Sequence, residues 1–236
     1  MPIDQGKLPV AEIFDSIQGE GFWVGTPMRF VRLAGCPVGK KASKDFYEIH
    51  PTIASSPTFQ KQSACQTWDG RFFPCDTDFS CHSYMGVDEM LGDMVQQHVC
   101  LTGGEPLIHQ KRLIELGFFQ QVFAKRTQVH IETSGTIMLH PSLQYDSRVW
   151  ITVSPKAGFL PEMISNFANE VKLLVDENFD ESKFTCMPSP QANVYVSPIN
   201  DEKTVNQENV QRALKILGNH PEWRLSCQWH KFLNLR

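Results

Sequence analysis

The sequence lacks any long apolar run and any excess of positive charge. It contains no stretch of 18 consecutive apolar residues, and residues 1–10 do not combine a basic segment with an apolar one. Twenty-two basic and 26 acidic side chains give a formal charge of -4, which argues against binding long nucleic acids through their phosphates. We therefore expect a cytoplasmic protein that binds a small molecule and has no nucleic-acid or membrane partner.

Regular cysteine spacing, internal repeats and low-complexity tracts are also absent. Seven cysteines at irregular intervals, without an export signal, are explained more readily as metal ligands and buried thiols than as disulfides. The chain of 236 residues is 41% hydrophobic and 20% charged, which is sufficient for one folded domain spanning 1–236.

The secondary-structure pattern predicts an α/β fold. From about residue 99 onward, short β-branched segments alternate with helical patterns, as in βαβ units around a parallel sheet. Strands are predicted at 28–33, 99–101, 129–132, 149–153, 170–175, 193–196 and 223–226. Helices are predicted at 87–97, with an apolar face of Val87, Met90, Leu91, Met94 and Val95, and at 206–217, with Val210, Leu214 and Leu217. Residues 40–74 lack sustained periodicity over most of their length and are interpreted as an insertion.

Polar and glycine-rich residues follow five of the predicted strands. In a parallel barrel the carboxyl-terminal loops meet at one mouth, so these loops are expected to surround one ligand. The alternative is that glycine, serine and proline merely end the strands. The loops are Thr102-Gly103-Gly104-Glu105-Pro106, Glu132-Thr133-Ser134-Gly135-Thr136, Ser154-Pro155-Lys156, Ser197-Pro198-Ile199-Asn200 and Gln228-Trp229-His230-Lys231.

These loops, together with the segments at 13–21, 25–27, 30–33, 35–39, 75–77 and 223–226, carry a family resemblance. The chain resembles the 7-carboxy-7-deazaguanine synthases, lyases of the radical S-adenosylmethionine superfamily, over nearly its whole length except about 40–74. The resemblance implies a partial TIM-like β/α barrel with an insertion in the cluster-binding loop. It also implies a 4Fe-4S cluster, S-adenosyl-L-methionine and Mg²⁺ as cofactors. The implied reaction contracts the ring of 6-carboxy-5,6,7,8-tetrahydropterin and releases ammonia, in queuosine and 7-deazapurine biosynthesis.

Three thiolates hold the cluster in this superfamily and leave one iron free for S-adenosylmethionine. Thiolates suit iron because they are soft, anionic ligands. The usual Cys-x3-Cys-x2-Cys spacing is broken here, since Lys40 or Phe72 occupies the second position. The resemblance places the second ligand before the third and so implies Cys36, Cys65 and Cys75 as the ligands, and the longer loop is tolerable because it costs only about 0.6 kcal/mol per doubling of its length. Cys81 in place of Cys65 is the alternative triad, and a zinc site that uses all four is the non-redox alternative.

The resemblance also assigns contacts to the cofactors. Thr77 would contribute an oxygen to Mg²⁺, although Asp76 and Thr77 could instead cap a helix. Ser197 departs from the family, which often has glutamine before this proline, and serine is a shorter donor. The assigned S-adenosylmethionine contacts are Pro74, Asp76, Gly103, Gly104, Glu105, Glu132, Ser134, Ser154, Pro155, Lys156, Ser197, Pro198, Ile199 and Asn200.

For the pterin substrate, the resemblance implicates residues from both ends of the chain. A paired amide and carboxylate can read the donors and acceptors of a pterin edge, and an arginine can grip its carboxylate. Arg32 as a surface residue and His230 as a core histidine are the structural alternatives. The assigned residues are Ile17, Gln18, Gly19, Glu20, Arg32, Thr102, His230 and Arg236.

The resemblance further implies a homodimer and an unidentified electron donor. Two other functions stay open from the sequence. One is a radical S-adenosylmethionine enzyme with another substrate, because the insertion could reshape the site. The other is a non-catalytic binding or regulatory protein that kept the fold.

Overall fold

The structure, a computed structural model, describes residues 6–39, 64–75, 77–200 and 204–235. Within these ranges the strands are β1 (Leu8–Ile17), β2 (Pro27–Leu33), β3 (Ala64–Gln66), β4 (Phe72–Pro74), β5 (Ser83–Met85), β6 (His98–Gly103), β7 (Gln128–Thr133), β8 (Val149–Val153), β9 (Glu170–Val175), β10 (Asn193–Pro198) and β11 (Arg224–Leu225). The α-helices are α1 (Val87–Leu91), α2 (Gln110–Glu115), α3 (Phe118–Ala124), α4 (Gln207–Asn219) and α5 (Trp229–Phe232).

Most of these strands form one open sheet of nine strands, in the order β11-β10-β9-β8-β7-β6-β2-β1-β5. In the stretch of this order from β11 to β2, every pair of neighbouring strands is parallel. β1 pairs antiparallel with both β2 and β5. β3 and β4 form a separate antiparallel hairpin. The predicted α/β class is therefore confirmed, and each of the seven predicted strands corresponds to one strand of the large sheet.

The two faces of the sheet differ in polarity, because successive side chains of a strand point to opposite faces. One face joins the apolar core with residues of α2, α3 and α4 and includes Val99, Ile131, Ile151, Leu173 and Val196. The register places the polar side chains of Thr102, Glu132, Thr152, Lys172 and Ser197 at the alternate positions. The apolar face therefore stabilises the fold, and the polar face presents Thr102, Glu132, Lys172 and Ser197 to a cavity on the other side of the sheet.

The strand β1 was not predicted from the sequence. Two acidic residues interrupt its apolar pattern, and both are paired with arginines of the adjacent strand. The Arg29 guanidinium lies 2.8 Å from Asp15, and that of Arg32 lies 2.8 Å from Glu12. These partners offset the carboxylates on the strand, so a segment with weak strand signals becomes a full member of the sheet.

Both predicted helices need correction. The helix predicted at 87–97 is wrong beyond Leu91, because Gly92 adopts a φ of +45° and ends α1, and Val95 is 88% exposed. α4 begins after Asn206, whose side chain accepts a hydrogen bond from the backbone of Asn209. Its buried residues are Asn209, Ala213 and Ile216, whereas the predicted core residue Leu214 is 48% exposed.

The hairpin β3–β4 lies against the carboxyl end of the sheet. Thr67 forms a β-bridge with Lys156, and the backbone N–H of Ala157 donates to the carbonyl of Gln66 at 2.9 Å. Arg71 forms an ion pair with Asp176, just after β9, at 2.8 Å. These contacts fix the hairpin beside the strand ends, which is where Cys65 and Cys75 are needed.

Residues 40–63 of the predicted insertion lie outside the described residues, so the single-domain organisation with an insertion at 40–74 stays a prediction. In the part of the chain that the structure describes, no helix is long and apolar enough to cross a membrane.

Candidate active site

A cavity of about 1110 Å³ opens at the carboxyl ends of the parallel strands. It is lined by most of the residues predicted from the sequence: Ile17, Gln18, Gly19, Glu20, Arg32, Cys36, Cys65, Cys75, Thr77, Thr102, Gly103, Gly104, Glu132, Ser134, Ser154, Lys156, Ser197, Pro198, Ile199, Asn200 and His230. Glu105 and Pro155 are not among its lining residues. Asp76, Arg236 and the side chain of Pro74 lie outside the described residues. The five strand-end loops thus meet at one mouth.

Three of the seven cysteines line this cavity. Cys36 follows β2, Cys65 lies in β3 and Cys75 follows β4, whereas Cys81 is exposed and is not part of the lining. Among the described residues, no three His, Cys, Asp or Glu side chains stand together at metal-ligand positions. The three thiols nevertheless line one and the same cavity.

Gly103 and Gly104 allow the end of β6 to lie against the segment after β2 that carries Cys36. A side chain at Gly104 would overlap the carbonyl oxygen of Gly35 and lie 2.5 Å from Cβ of Cys36. Gly103 has a φ of +139°, and a side chain there would overlap the backbone of Leu33. The backbone N–H of Glu105 donates to the Gly35 carbonyl at 3.0 Å. Only glycine permits this close approach of two backbones beside Cys36.

Glu105 is completely buried and joins two of the strand-end loops. Its carboxylate accepts hydrogen bonds from the backbone N–H of Leu107 at 3.0 Å and of Ser134 at 2.8 Å. The Thr133 hydroxyl lies 2.8 and 2.9 Å from its two oxygens, and the Ser134 hydroxyl donates at 2.5 Å. This carboxylate therefore holds the loop after β6 and the loop after β7 together beside the cavity.

An ionic cluster also lines the cavity, and its cation, Lys172, was not predicted from the sequence. Lys172 of β9 is buried, contacts the carboxylate of Glu20 and lies 3.4 Å from that of Glu132. Burial alone would lower the pKa of Lys172, but the charges of the neighbouring carboxylates outweigh it and raise that pKa. Glu170 and Lys172 are charged residues within an otherwise apolar central strand, and that contrast is the signal that could have found them.

Glu170 is a second buried carboxyl group that the sequence analysis did not identify. It accepts a hydrogen bond from the backbone N–H of Phe22 at 3.0 Å, and it occupies the space where Gly21 would carry a side chain. Burial, and then the charge of Glu132, raises the pKa of Glu170 to about 7. Glu170 therefore fixes the β1–β2 loop, which carries the predicted substrate residues, to the sheet.

Arg32 and Lys156 are the cations near the thiol side of the cavity. The Arg32 guanidinium donates to Glu12 at 2.8 Å and to the Thr77 hydroxyl at 3.4 Å. Lys156 donates to the carbonyl of Ser154 at 3.0 Å and to its hydroxyl at 2.7 Å. Burial lowers the pKa of Lys156, although the nearby Cys65 thiol acts in the opposite direction. A cation held beside a thiol favours its ionised form, which is the form that binds iron.

His230 is brought to the cavity by the carboxyl-terminal helix. The backbone N–H of Trp229 donates to the carbonyl of Gly19 at 3.0 Å, and the His230 ring lies where a side chain at position 19 would be. The first loop and the last helix of the described chain therefore meet, although they are far apart in sequence.

The mostly parallel, open β/α sheet and the large cavity with three cysteines at the carboxyl ends of its strands, together with the structural match reported below, define a radical S-adenosylmethionine enzyme with a partial-barrel fold. No protein-family model matches the sequence. The chain is 31% identical over 235 residues to a 7-carboxy-7-deazaguanine synthase of Synechocystis, covering 97% of this chain and 93% of that one. It is also 31% identical to the enzyme of the same name from Buchnera aphidicola, with coverage of 97% and 99%.

The fold agrees with these sequence matches. The crystal structure of QueE from Escherichia coli is similar with a TM-score of 0.63 and 26% identity, and the match covers 96% of both chains. The chain therefore belongs to the 7-carboxy-7-deazaguanine synthase family.

Proposed function

We propose that this protein is a 7-carboxy-7-deazaguanine synthase, a lyase that converts 6-carboxy-5,6,7,8-tetrahydropterin to 7-carboxy-7-deazaguanine with release of ammonia. The observation that carries the proposal is the single cavity of about 1110 Å³, which three cysteines and five strand-end loops line together. Its volume lies just above the range of about 300–1,000 Å³ for small-molecule sites, which suits a cofactor and a substrate side by side.

The chemistry of the donor set fits an iron-sulfur cluster held by Cys36, Cys65 and Cys75. Thiols are soft ligands for iron, and the absence of a side chain at Gly104 avoids a clash with Cβ of Cys36. When bound, the reduced cluster and S-adenosylmethionine supply the radical that removes a hydrogen atom from the substrate. Gly103, Ser134, Ser154, Ser197 and their loops would bind and orient the nucleoside cofactor.

The residues proposed for the substrate include Gln18, Glu20, Thr102 and His230, which line the same cavity. Arg32 is proposed to bind the substrate carboxylate, for which its planar guanidinium is suited. Thr77, whose hydroxyl accepts a hydrogen bond from Arg32 at 3.4 Å, would contribute an oxygen ligand to Mg²⁺ beside the substrate. A homodimer and an unidentified electron donor are part of the proposal through the family resemblance.

Anaerobic reconstitution with iron and sulfide tests the cluster and its ligands. We expect Cys36→Ala, Cys65→Ala and Cys75→Ala each to lose most of the bound iron, and the matched control Cys81→Ala to retain it. Full iron content in Cys65→Ala together with its loss in Cys81→Ala would select the alternative triad. Reconstituted wild type is then assayed for 7-carboxy-7-deazaguanine by chromatography, and a fully loaded protein that makes none would contradict the proposed function.

Substituting Arg32→Ala tests the substrate. Loss of a charged, bidentate contact weakens binding by about 30- to 100-fold, so the affinity for 6-carboxypterin should fall by that factor. Arg148→Ala is the matched control, because Arg148 directly precedes β8, at the end of the strand opposite to the cavity, and is half-exposed. Unchanged affinity in Arg32→Ala would favour the second candidate, an enzyme of the same class with another substrate.

A further inference from the structure

Lys172 is a buried cation in the proposed active-site cavity, and neither the sequence motifs nor the resemblance assigns it a role. Its side chain is only 10% exposed, and it is supplied by the central strand β9. Lysines are almost never buried without a partner, because removing an ammonium group from water is costly. A lysine at this position therefore implies that the groups around it require its charge.

The groups around Lys172 form a closed hydrogen-bonded circuit. Its Nζ donates to Oε2 of Glu20 and, at 3.4 Å, to Oε2 of Glu132. The other oxygen of Glu132 accepts from Nε2 of Gln18 at 3.1 Å, and Oε1 of Gln18 accepts from the backbone N–H of Glu20 at 3.2 Å. All four side chains line the cavity. Lys172 donates to both carboxylates and thereby holds each of them in one orientation.

The charges of this circuit explain why a cation is needed. Two carboxylates that share a site repel each other, and without a cation one of them takes up a proton. An ionised carboxylate is acceptor-only, whereas a protonated one presents a donor to the ligand. The cation therefore decides whether this wall of the cavity accepts hydrogen bonds or donates them.

We propose that Lys172 is a positioning residue that keeps Glu20 and Glu132 ionised and oriented as hydrogen-bond acceptors for the N–H donors of the substrate's aminopyrimidinone ring. This inference rests on the proposed function, because the pterin supplies the donors. Lys172 acts through the two carboxylates and requires no contact with the reacting atoms.

The test measures binding of 6-carboxypterin, a stable probe with the same aminopyrimidinone edge and carboxylate. Full-length, anaerobically reconstituted protein is titrated in the presence of S-adenosylmethionine. We expect Lys172→Met to weaken probe binding by about 30- to 100-fold, with iron content unchanged. Lys172→Arg should restore most of the affinity, because it keeps the charge. Lys215→Met, at an exposed position of α4, is the matched control.

The pH profile and a double variant separate positioning from simple structural damage. Glu170, Lys156, Cys100 and Cys227 interact electrostatically with members of this circuit, and His230 lines the same cavity. Removing Lys172 also raises the pKa of Glu170, so the two profiles are compared in a Glu170→Gln background as well. Relative to wild type, probe binding by Lys172→Met should weaken further as the pH falls from 8 to 6, because a carboxylate then takes up a proton. Adding Glu132→Gln to Lys172→Met should recover part of the affinity by removing the repulsion.

Two outcomes would overturn the inference. One is a folded Lys172→Met protein that binds the probe within about threefold of wild type with a parallel pH profile. The other is a loss of binding that Lys172→Arg does not rescue and that the double variant does not relieve. If wild-type protein itself fails to bind 6-carboxypterin, the proposed function fails instead, and the two failures are distinguishable.

Discussion

Removing the carboxylate of Glu105 should destabilise the loops after β6 and β7, which it joins beside the cavity. Glu105→Ala leaves two buried backbone N–H groups, those of Leu107 and Ser134, without their acceptor. Each unsatisfied buried donor costs about 1–3 kcal/mol, and the hydroxyl of Thr133 loses its partner as well. The Ser134 hydroxyl can still bond Thr136 at 2.8 Å. We therefore expect the free energy of unfolding to fall by about 3–5 kcal/mol.

Urea denaturation followed by circular dichroism measures this change in the free energy of unfolding. Glu105→Gln keeps one acceptor oxygen and should lose less, about 1–3 kcal/mol. Glu115→Ala, at an exposed position of α2, is the control and should stay within about 0.5 kcal/mol of wild type. If the free energy of unfolding of Glu105→Ala lies within about 1 kcal/mol of the wild-type value, the buried hydrogen bonds of Glu105 do not stabilise these two loops.

Three further predictions concern other described residues. Gly104→Ala should reduce bound iron after reconstitution, because its Cβ overlaps the cysteine loop, whereas Gly218→Ala, with nothing within 4 Å, should be neutral or stabilising. Burial, and to a smaller extent the charge of His98, lowers the pKa of His130 to about 3, whereas the pKa in the unfolded chain is about 6.5. The stabilising contribution of neutral His130 is therefore lost as the pH falls. Urea titrations should show wild type losing about 2 kcal/mol more than His130→Gln between pH 7 and pH 5. The pKa of Glu170 is raised to about 7, so its contribution is lost as the pH rises. Glu170→Gln should therefore gain about 2–3 kcal/mol over wild type between pH 5 and pH 8 in the same assay.

The strands and their loops were predictable because they depend on local patterns. β-branched segments followed by polar turns gave the parallel strands and the loops that converge on the cavity. α1 and α4 were predicted with errors, because a single positive-φ glycine at Gly92 and a rotation of the buried face by one residue are set by tertiary contacts. The strand β1 was missed because the partners of Glu12 and Asp15 lie on another strand.

The site was predictable only in part for the same reason. The motifs gave most of the lining, since each lies next to a strand end. The ionic partners of Glu20 could not be derived, because Lys172 is 152 residues away from it in the chain. Glu105 was assigned to the cofactor from its motif, yet its bonds to Thr133 and Ser134 show a carboxylate fully used in joining two loops.

The alternation of polar and apolar side chains along the central strands has an evolutionary consequence. In β9, Lys172 faces the ligand cavity while Leu173, the next residue, belongs to the core. Selection on substrate preference and selection on folding therefore act on interleaved sets of positions in the same few strands. A descendant could exchange one set and acquire a new ligand while inheriting the other set intact.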